Sequence, residues 1–453
     1  MTGILTADGG IGLHDIRACF EGAIPAVVAT CDAQGMPNVA YISQVYYVDE
    51  RHVALSFQFF NKTRQNILAN PHATAVLLHP QTAAFYRLQI RYLRTETEGP
   101  LFEGMKAQLA GIASHVGMQG VFRLLGSDVY EVTHTEEVEG QPLPAPPAKI
   151  GHLNGMRRAS ERLARATSLD EALAAVLSSL SDFLGVRHAM VLMLDAKTQR
   201  LYTVASAGYA TSGVGSEIGV GQGVIGVAAR ERTPVRIGHM TSAYLYTQAM
   251  RSSFEANVPD LEPVTDIPYP GLAEPHSQIA VPILSAGRLL GVLFAESPQD
   301  LQFGFEDEDV FVAVAGQLGA AIDLLQANTE AAEVPSAPAQ PEAPSQGQPL
   351  VVRHFAANDS VFVNGAYLIK GVAGAILWKL LNDHERSGRT EFSNRELRLD
   401  PSLGLPDVSD NLEARLLLLQ RRLAEQSEHL RIEKTGRGRF RLVLHRPVQL
   451  AGG

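Results

Sequence analysis

Two stretches of the chain cannot join a packed core, and they decide how the rest is read. EEVEGQPLPAPPAK (136–149) and EAAEVPSAPAQPEAPSQGQP (330–349) are rich in proline, alanine and acid. Such segments lack both the apolar residues and the free backbone N–H groups that packed elements need. They divide the 453 residues into blocks of 1–135, 150–328 and 350–446, close to the three domains of about 150 residues expected from length alone. The net charge of −10 is unevenly spread. The last block holds sixteen Lys/Arg against twelve Asp/Glu, which leaves 22 basic and 36 acidic residues in the remainder. A basic module on an acidic body is the distribution expected when only that module meets nucleic acid. The two cysteines, Cys19 and Cys31, form no CxxC pair, so neither a disulfide framework nor a zinc ribbon is expected. With a start (MTGILTADGG) that lacks a basic n-region, this usage points to a reducing cytoplasm and no membrane. VFVAVAGQLGAAIDLL is interrupted by Gln317 and Asp323 and reads as an amphipathic helix.

In the first block AVVATCD, NVAYISQVYYVD and RHVALSFQFF are short β-branched and aromatic runs separated by Gly, Pro and Asp, a pattern that predicts antiparallel strands. Asn61 can cap a helix over KTRQNILAN that stops before Pro71. A helix start carrying Lys62, Thr63 and Arg64 offers backbone N–H groups, a hydroxyl and two cations to a phosphate. IPAVVATCDAQGMPNVAYIS, the FNKTRQNILANP corner and RLQIRYLRTETEGPLF together resemble the pyridoxamine-5'-phosphate-oxidase-like split barrels that bind FMN. The resemblance covers most of residues 15–135. It implies a dimer, with Lys62 and Thr63 on the flavin phosphate and Asn61 or Arg64 assisting. Tyr41, Ile42 and Ser43 would then lie along the ring, with Gln89 a contact from a later strand. A haem, a deazaflavin or an empty barrel are the alternatives at this point.

In the second block Ser168 and Glu171 form a capping box before a helix whose apolar face includes Leu173, Val176, Leu177 and Leu180. Strands are expected at HAMVLMLD and RLYTVASAG, and GVGQGVIG reads as a turn and close helix packing rather than a dinucleotide loop. GQGVIGVAARERTPVRI, AVPILSAGRLLGVLFAES and FEDEDVFVAVAGQLGAAI resemble a GAF domain in order and spacing. That resemblance leaves the ligand open. A lid over 238–276 would carry His239, Tyr244, Tyr246, Met250 and His276 without metal-site spacing. Phe311, Ala315, Leu318, Ile322 and Leu325, with Leu153, Met156, Ser160 and Leu163, repeat as a short heptad seam that suits either core packing or a dimer.

In the third block the expected elements are a strand at VFV, a turn at Asn364-Gly365 and a helix at GAILWKLLND. A Ser393/Glu396 capping box, the helix NLEARLLLLQRRLAEQ and a hairpin LRIEK-TGRG-RFRLVL follow. LLLLQRRLAEQ and LRIEKTGRGRFRL resemble the recognition helix and wing of response-regulator winged helix-turn-helix factors. By that resemblance Asn411 and Arg415 would face the major groove, Arg421 or Arg422 the phosphates, and Arg437 and Arg439 the backbone or minor groove. Asp407, Asp410 and Glu413 depart from that pattern, and a protein-contact role stays open.

The expected whole is a multidomain α+β chain: an antiparallel split β-barrel, a GAF α/β sandwich and a winged helix. It would work as a flavin- or ligand-responsive transcription regulator binding DNA through its C-terminal domain. A flavin-dependent oxidoreductase with accessory domains is the rival reading.

Overall fold

The computed structural model describes residues 11–22, 24–42, 44–57, 62–115, 124–144, 151–238, 267–331, 348–403 and 412–452. The first unit contains β1 (Ala26–Cys31), β2 (Pro37–Ile42), β3 (Val45–Tyr47), β4 (His52–Phe57), α1 (Lys62–Ala69), β5 (His72–Leu78), β6 (Phe85–Glu96), α2 (Pro100–His115) and β7 (Gly126–Glu137). The strands form one antiparallel sheet in the order β2-β1-β5-β6-β7-β4-β3. Burial alternates along β1 and β5, as period-2 patterning requires of a sheet with one wet face. Register shifts at Gln89/Ile90 and Tyr92/Arg94 bend the long β6–β7 ladder and curl the sheet into a half-barrel. Val28, Ala75, Leu88, Ile90, Val53 and Tyr130 fill its concave side. The proline-rich stretch that follows is not wholly a free tether: Val138 and Leu143 N–H groups donate to Phe85 O (2.8 Å) and Thr82 O (2.6 Å).

The second unit runs α3 (His152–Leu163), α4 (Leu169–Leu184), β8 (His188–Asp195), β9 (Arg200–Ala207), β10 (Glu217–Gly219), α5 (Gly223–Glu231), β11 (Val235–Ile237), β12 (Ser277–Ser285), β13 (Arg288–Ser297) and α6 (Phe305–Ala331). Its sheet order is β10-β9-β8-β13-β12-β11. Helices α3, α4 and α6 cover one face. The Phe311, Ala315, Leu318 and Ile322 seam is spent there on the core, while Leu153 stays 74% exposed. Helix α6 is long and apolar enough to span a membrane by length and composition, yet this stripe packs it onto the sheet. Gly319 allows the close approach: a Cβ there would sit 2.3 Å from Leu284 O. The opposite face carries α5 and also α2 of the first unit, with Ala107 fully buried among Val224, Val227 and Val235. GVGQGVIG is a turn with close packing, because Gly221 has φ +88° and a Cβ on Gly226 would meet Gly219 O at 2.3 Å.

The third unit contains β14 (Leu350–Phe355), β15 (Ser360–Val363), β16 (Ala366–Ile369), α7 (Gly371–Ser387), β17 (Glu391–Ser393), α8 (Asn394–Leu399), α9 (Leu412–Gln426), β18 (Leu430–Gly436), β19 (Arg439–Leu444) and β20 (Val448–Gly452). Two small sheets, β16-β15-β14-β20 and β17-β19-β18, flank three helices. Asn364 (φ 52°) and Gly365 (φ 86°) make the β15–β16 turn. Ser393 and Glu396 form a reciprocal capping box. At Ser168 only half of that pattern forms: the hydroxyl accepts from Glu171 N–H, but the Glu171 carboxylate takes the N–H and hydroxyl of Thr167 instead.

Candidate functional site

The polar corner of the first unit is assembled by the end of β1, the inner side of β2 and the start of α1. Lys62 Nζ donates to Asp32 Oδ2 at 3.3 Å and its side chain remains 51% exposed. Asp32 is fixed in turn: its Oδ1 accepts from the N–H groups of Met36 (2.9 Å) and Gln34 (3.0 Å). The Met36 N–H, followed by Lys62, holds the Asp32 carboxyl below its usual range. Asn38 Nδ2 donates to Thr63 Oγ1 at 3.0 Å, and buried Asn66 donates to Thr30 Oγ1 at 3.1 Å. An exposed ammonium, a hydroxyl and the first N–H groups of α1 therefore share one surface corner, which is the donor set a phosphate monoester needs.

Not every expected residue joins it. Arg64 turns inward and forms a buried ion pair with Asp128, shares Thr95 Oγ1 at 3.2 Å, and lies 3.7 Å over the Phe57 ring. Its charge is thus engaged in the barrel wall. Tyr41 is 83% exposed on the outer face of β2, the edge strand of the sheet. Ile42, opposite Ala26, is half-buried. Gln89 lies three strands further in, on β6, where Thr74 donates to it at 3.0 Å. Across the outer face Val39, Ala29, Thr74 and Gln89 share one register row. Ser43 and Asn61 fall outside the described residues. Asp32 and Asn38, which the sequence reading omitted, are the residues that position Lys62 and Thr63. An Asp just before a Gly turn and an Asn opening the next strand were the available signals.

In the second unit a buried polar row crosses β12, β13 and β8 on the face that carries α5. Gln278 pairs in register with Glu296, and Glu296 with His188. The Glu296 carboxylate, 1% exposed, accepts from Leu272 N–H at 2.7 Å and Gln278 Nε2 at 3.0 Å. Burial pushes its carboxyl above the ordinary range even though those donors and Tyr209 pull it down. Tyr209, whose ring lies 5.5 Å from that of His188, is pushed up by burial and by the neighbouring Glu296. His276 is half-buried and 3.4 Å from Asp300. His239, Tyr244, Tyr246 and Met250 lie outside the described residues.

In the third unit Arg437 is exposed at the tip of the β18–β19 hairpin and Arg439 is half-buried beside it. The arginines of α9 are placed differently. Arg415, 5% exposed, forms an ion pair with Asp195 of the second unit, its Nη2 2.9 Å from Oδ2, and stacks 4.2 Å over the Tyr202 ring. Arg421 donates to Val204 O (2.6 Å) and Asp170 Oδ1 (2.5 Å). Arg422 stays within its own unit, donating to Leu368 O at 3.1 Å and to Glu425 at 3.1 Å. Ser212 of the second unit donates to that Glu425 at 2.5 Å. Asn411 lies outside the described residues. In this arrangement Arg415 and Arg421 are directed at the second unit rather than at solvent.

Residues 13–135 match the family model described as pyridoxamine 5'-phosphate oxidase, and residues 168–322 match that described as GAF domain. No curated protein matches the chain. Among solved structures, the GAF domain of an Acinetobacter phosphoenolpyruvate-protein phosphotransferase is 21% identical, over 40% of this chain and 96% of that one, with a TM-score of 0.29. The free methionine-R-sulfoxide reductase of Neisseria meningitidis is 20% identical, over 41% of this chain and 96% of that one, with a TM-score of 0.31. An FMN-binding protein of Syntrophomonas wolfei is 17% identical, over 28% of this chain and 82% of that one, with a TM-score of 0.23. The chain thus carries a domain of the pyridoxamine 5'-phosphate oxidase family followed by a GAF domain.

Proposed function

We propose that the chain is a cytoplasmic, homodimeric transcription regulator that binds FMN in its first domain, a small ligand in its GAF domain and DNA through its C-terminal unit. The corner of Lys62 and Thr63 carries the flavin part of this reading. Lys62 and Thr63 would take the phosphate, with Asp32 releasing the ammonium to it. The isoalloxazine would lie along β2, whose outer side chains Val39 and Tyr41 are open. Bound FMN would supply one- or two-electron redox chemistry, and the protein groups would grip and orient it.

Support for the output is architectural. Three helices end in a two-stranded hairpin whose tip exposes Arg437, in the block that holds the excess of basic charge. This supports reading the unit as a winged helix-turn-helix, with a helix for the groove and a hairpin for the flanking backbone.

The visible spectrum of purified protein, and of the supernatant after heat denaturation, tests the flavin. Released flavin at about one per chain is the expected result. No flavin bands, together with no uptake of added FMN, would overturn the assignment. Steady-state consumption of a reductant with oxygen would favour an oxidoreductase, whereas a sensor gives one redox event per flavin. Duplex retention in a gel at low salt, lost in Arg437→Ala/Arg439→Ala, tests the output.

A further inference from the structure

The face of α9 that a nucleic acid would need is already occupied. The N-terminal end of α4 stands over the space between α9 and the β18–β19 hairpin. The space that remains is an open pocket of about 460 Å³ lined by Asp170, Glu413, Gln420, Arg421, Lys434 and Arg439. Four polar contacts hold the roof in place: Arg415 to Asp195, Arg421 to Asp170 and to Val204 O, and Ser212 to Glu425. Apolar packing continues the seam, with Leu418 against Gly215 and Leu416, Leu417, Leu419 and Val214 in one shared core. Asp170 takes the Arg421 guanidinium that would meet a phosphate, and Asp195 takes the Arg415 guanidinium that would face the groove.

We propose that the GAF domain is an internal competitor of DNA. Docked on α9 and the hairpin, it holds the C-terminal unit in a closed, non-binding state, and undocking opens the groove. This inference rests on the reading of the C-terminal unit as a DNA-binding module. The competition is stoichiometric, because α4 and a duplex cannot fill one groove together. A ligand that prefers the undocked GAF domain shifts the chain towards DNA. The contact also removes the need for a rigid connection through 330–349. A loose tether only has to let the unit leave and return.

The test uses the full chain with Asp170→Asn/Asp195→Asn. Both residues belong to the GAF side, and Asn at 195 keeps an oxygen for the Lys197 and Thr198 N–H groups that fix its turn. Hydrogen exchange of 412–444 reports whether the dock has loosened, and gel retention of a random-sequence duplex at low salt reports access. Faster exchange with duplex retention tightened about tenfold, within the usual range of domain coupling, is the expected result. Faster exchange with equal retention by parent and variant would leave the DNA reading standing and overturn the occlusion. Faster exchange with no retention by either chain would remove the DNA reading and the inference with it. Unchanged exchange would show that these ion pairs do not hold the seam and would also overturn it.

Discussion

At the residue scale, Lys62 and Arg64 are two positions apart in one polar run and are assigned opposite roles by their partners. Lys62, itself exposed, is bound to a half-buried, turn-fixed carboxylate, whereas Arg64 pairs with an Asp128 that is 4% exposed. Lys62→Ala should therefore weaken the proposed FMN binding by about 2 kcal/mol, the worth of a hydrogen bond to a charged group, with little change in urea midpoint. Arg64→Ala should cost about 3–5 kcal/mol of stability by leaving Asp128 buried and unpaired, as chemical denaturation would show. Position 64 was legible as basic and close to the corner. Its direction was not, because the partner is 64 residues away on β7. Glu296 gives a pH-dependent expectation. Its carboxyl is raised from the ordinary 4.5 in the fold, so the folded chain keeps a proton that the unfolded chain has lost. That contribution is complete below about pH 4.5 and disappears as pH rises through the folded value. Urea midpoints measured across this window should fall with pH in the parent and fall less in Glu296→Gln.

At the element scale, local signals were read well and partnerships poorly. The capping box at Ser393, the Asn364-Gly365 turn and the α6 apolar stripe all depend on residues within a few positions, and each sits where its pattern placed it. Strands β14, β16 and β20 were missed because they are short and draw their order from pairing, including a parallel β14–β20 pair across a hundred residues. Gly319 is the clearest element-scale test. Ala is the better helix former by about 1 kcal/mol, but a Cβ 2.3 Å from Leu284 O must push α6 off β12. Overpacking of this kind costs about 1–3 kcal/mol. Gly319→Ala should lower the thermal midpoint of the GAF domain, and a rise would mean that the helix shifts freely.

At the scale of the whole molecule, the units are joined by charge and aromatic contacts that no single stretch announces. Arg17 and Arg236 lie 4.4 Å and 4.5 Å from the Phe305 ring, one from each of the first two units. Buried Arg236 also pairs with Glu21 of the first unit and with Glu308. Phe305→Ala should cost about 2 kcal/mol from these two cation–π contacts. Calorimetry should then resolve two transitions where the parent has one, and a single unshifted transition would show that the seam does not couple the domains.

Helix α2 is the feature with the longest reach. It is encoded within the first domain, before β7, yet Ala107 is buried against the second domain's sheet and α5. During synthesis the ribosome therefore releases part of the GAF interior before any GAF strand exists. Translation at about 5–20 residues per second leaves that helix waiting roughly 6–25 seconds for α5 and β11. A gene fragment starting after residue 150 would make a GAF sheet with one apolar face covered by α5 alone, its remainder prone to stick to other chains. Any dissection of this protein has to carry α2 along with the domain whose core it completes.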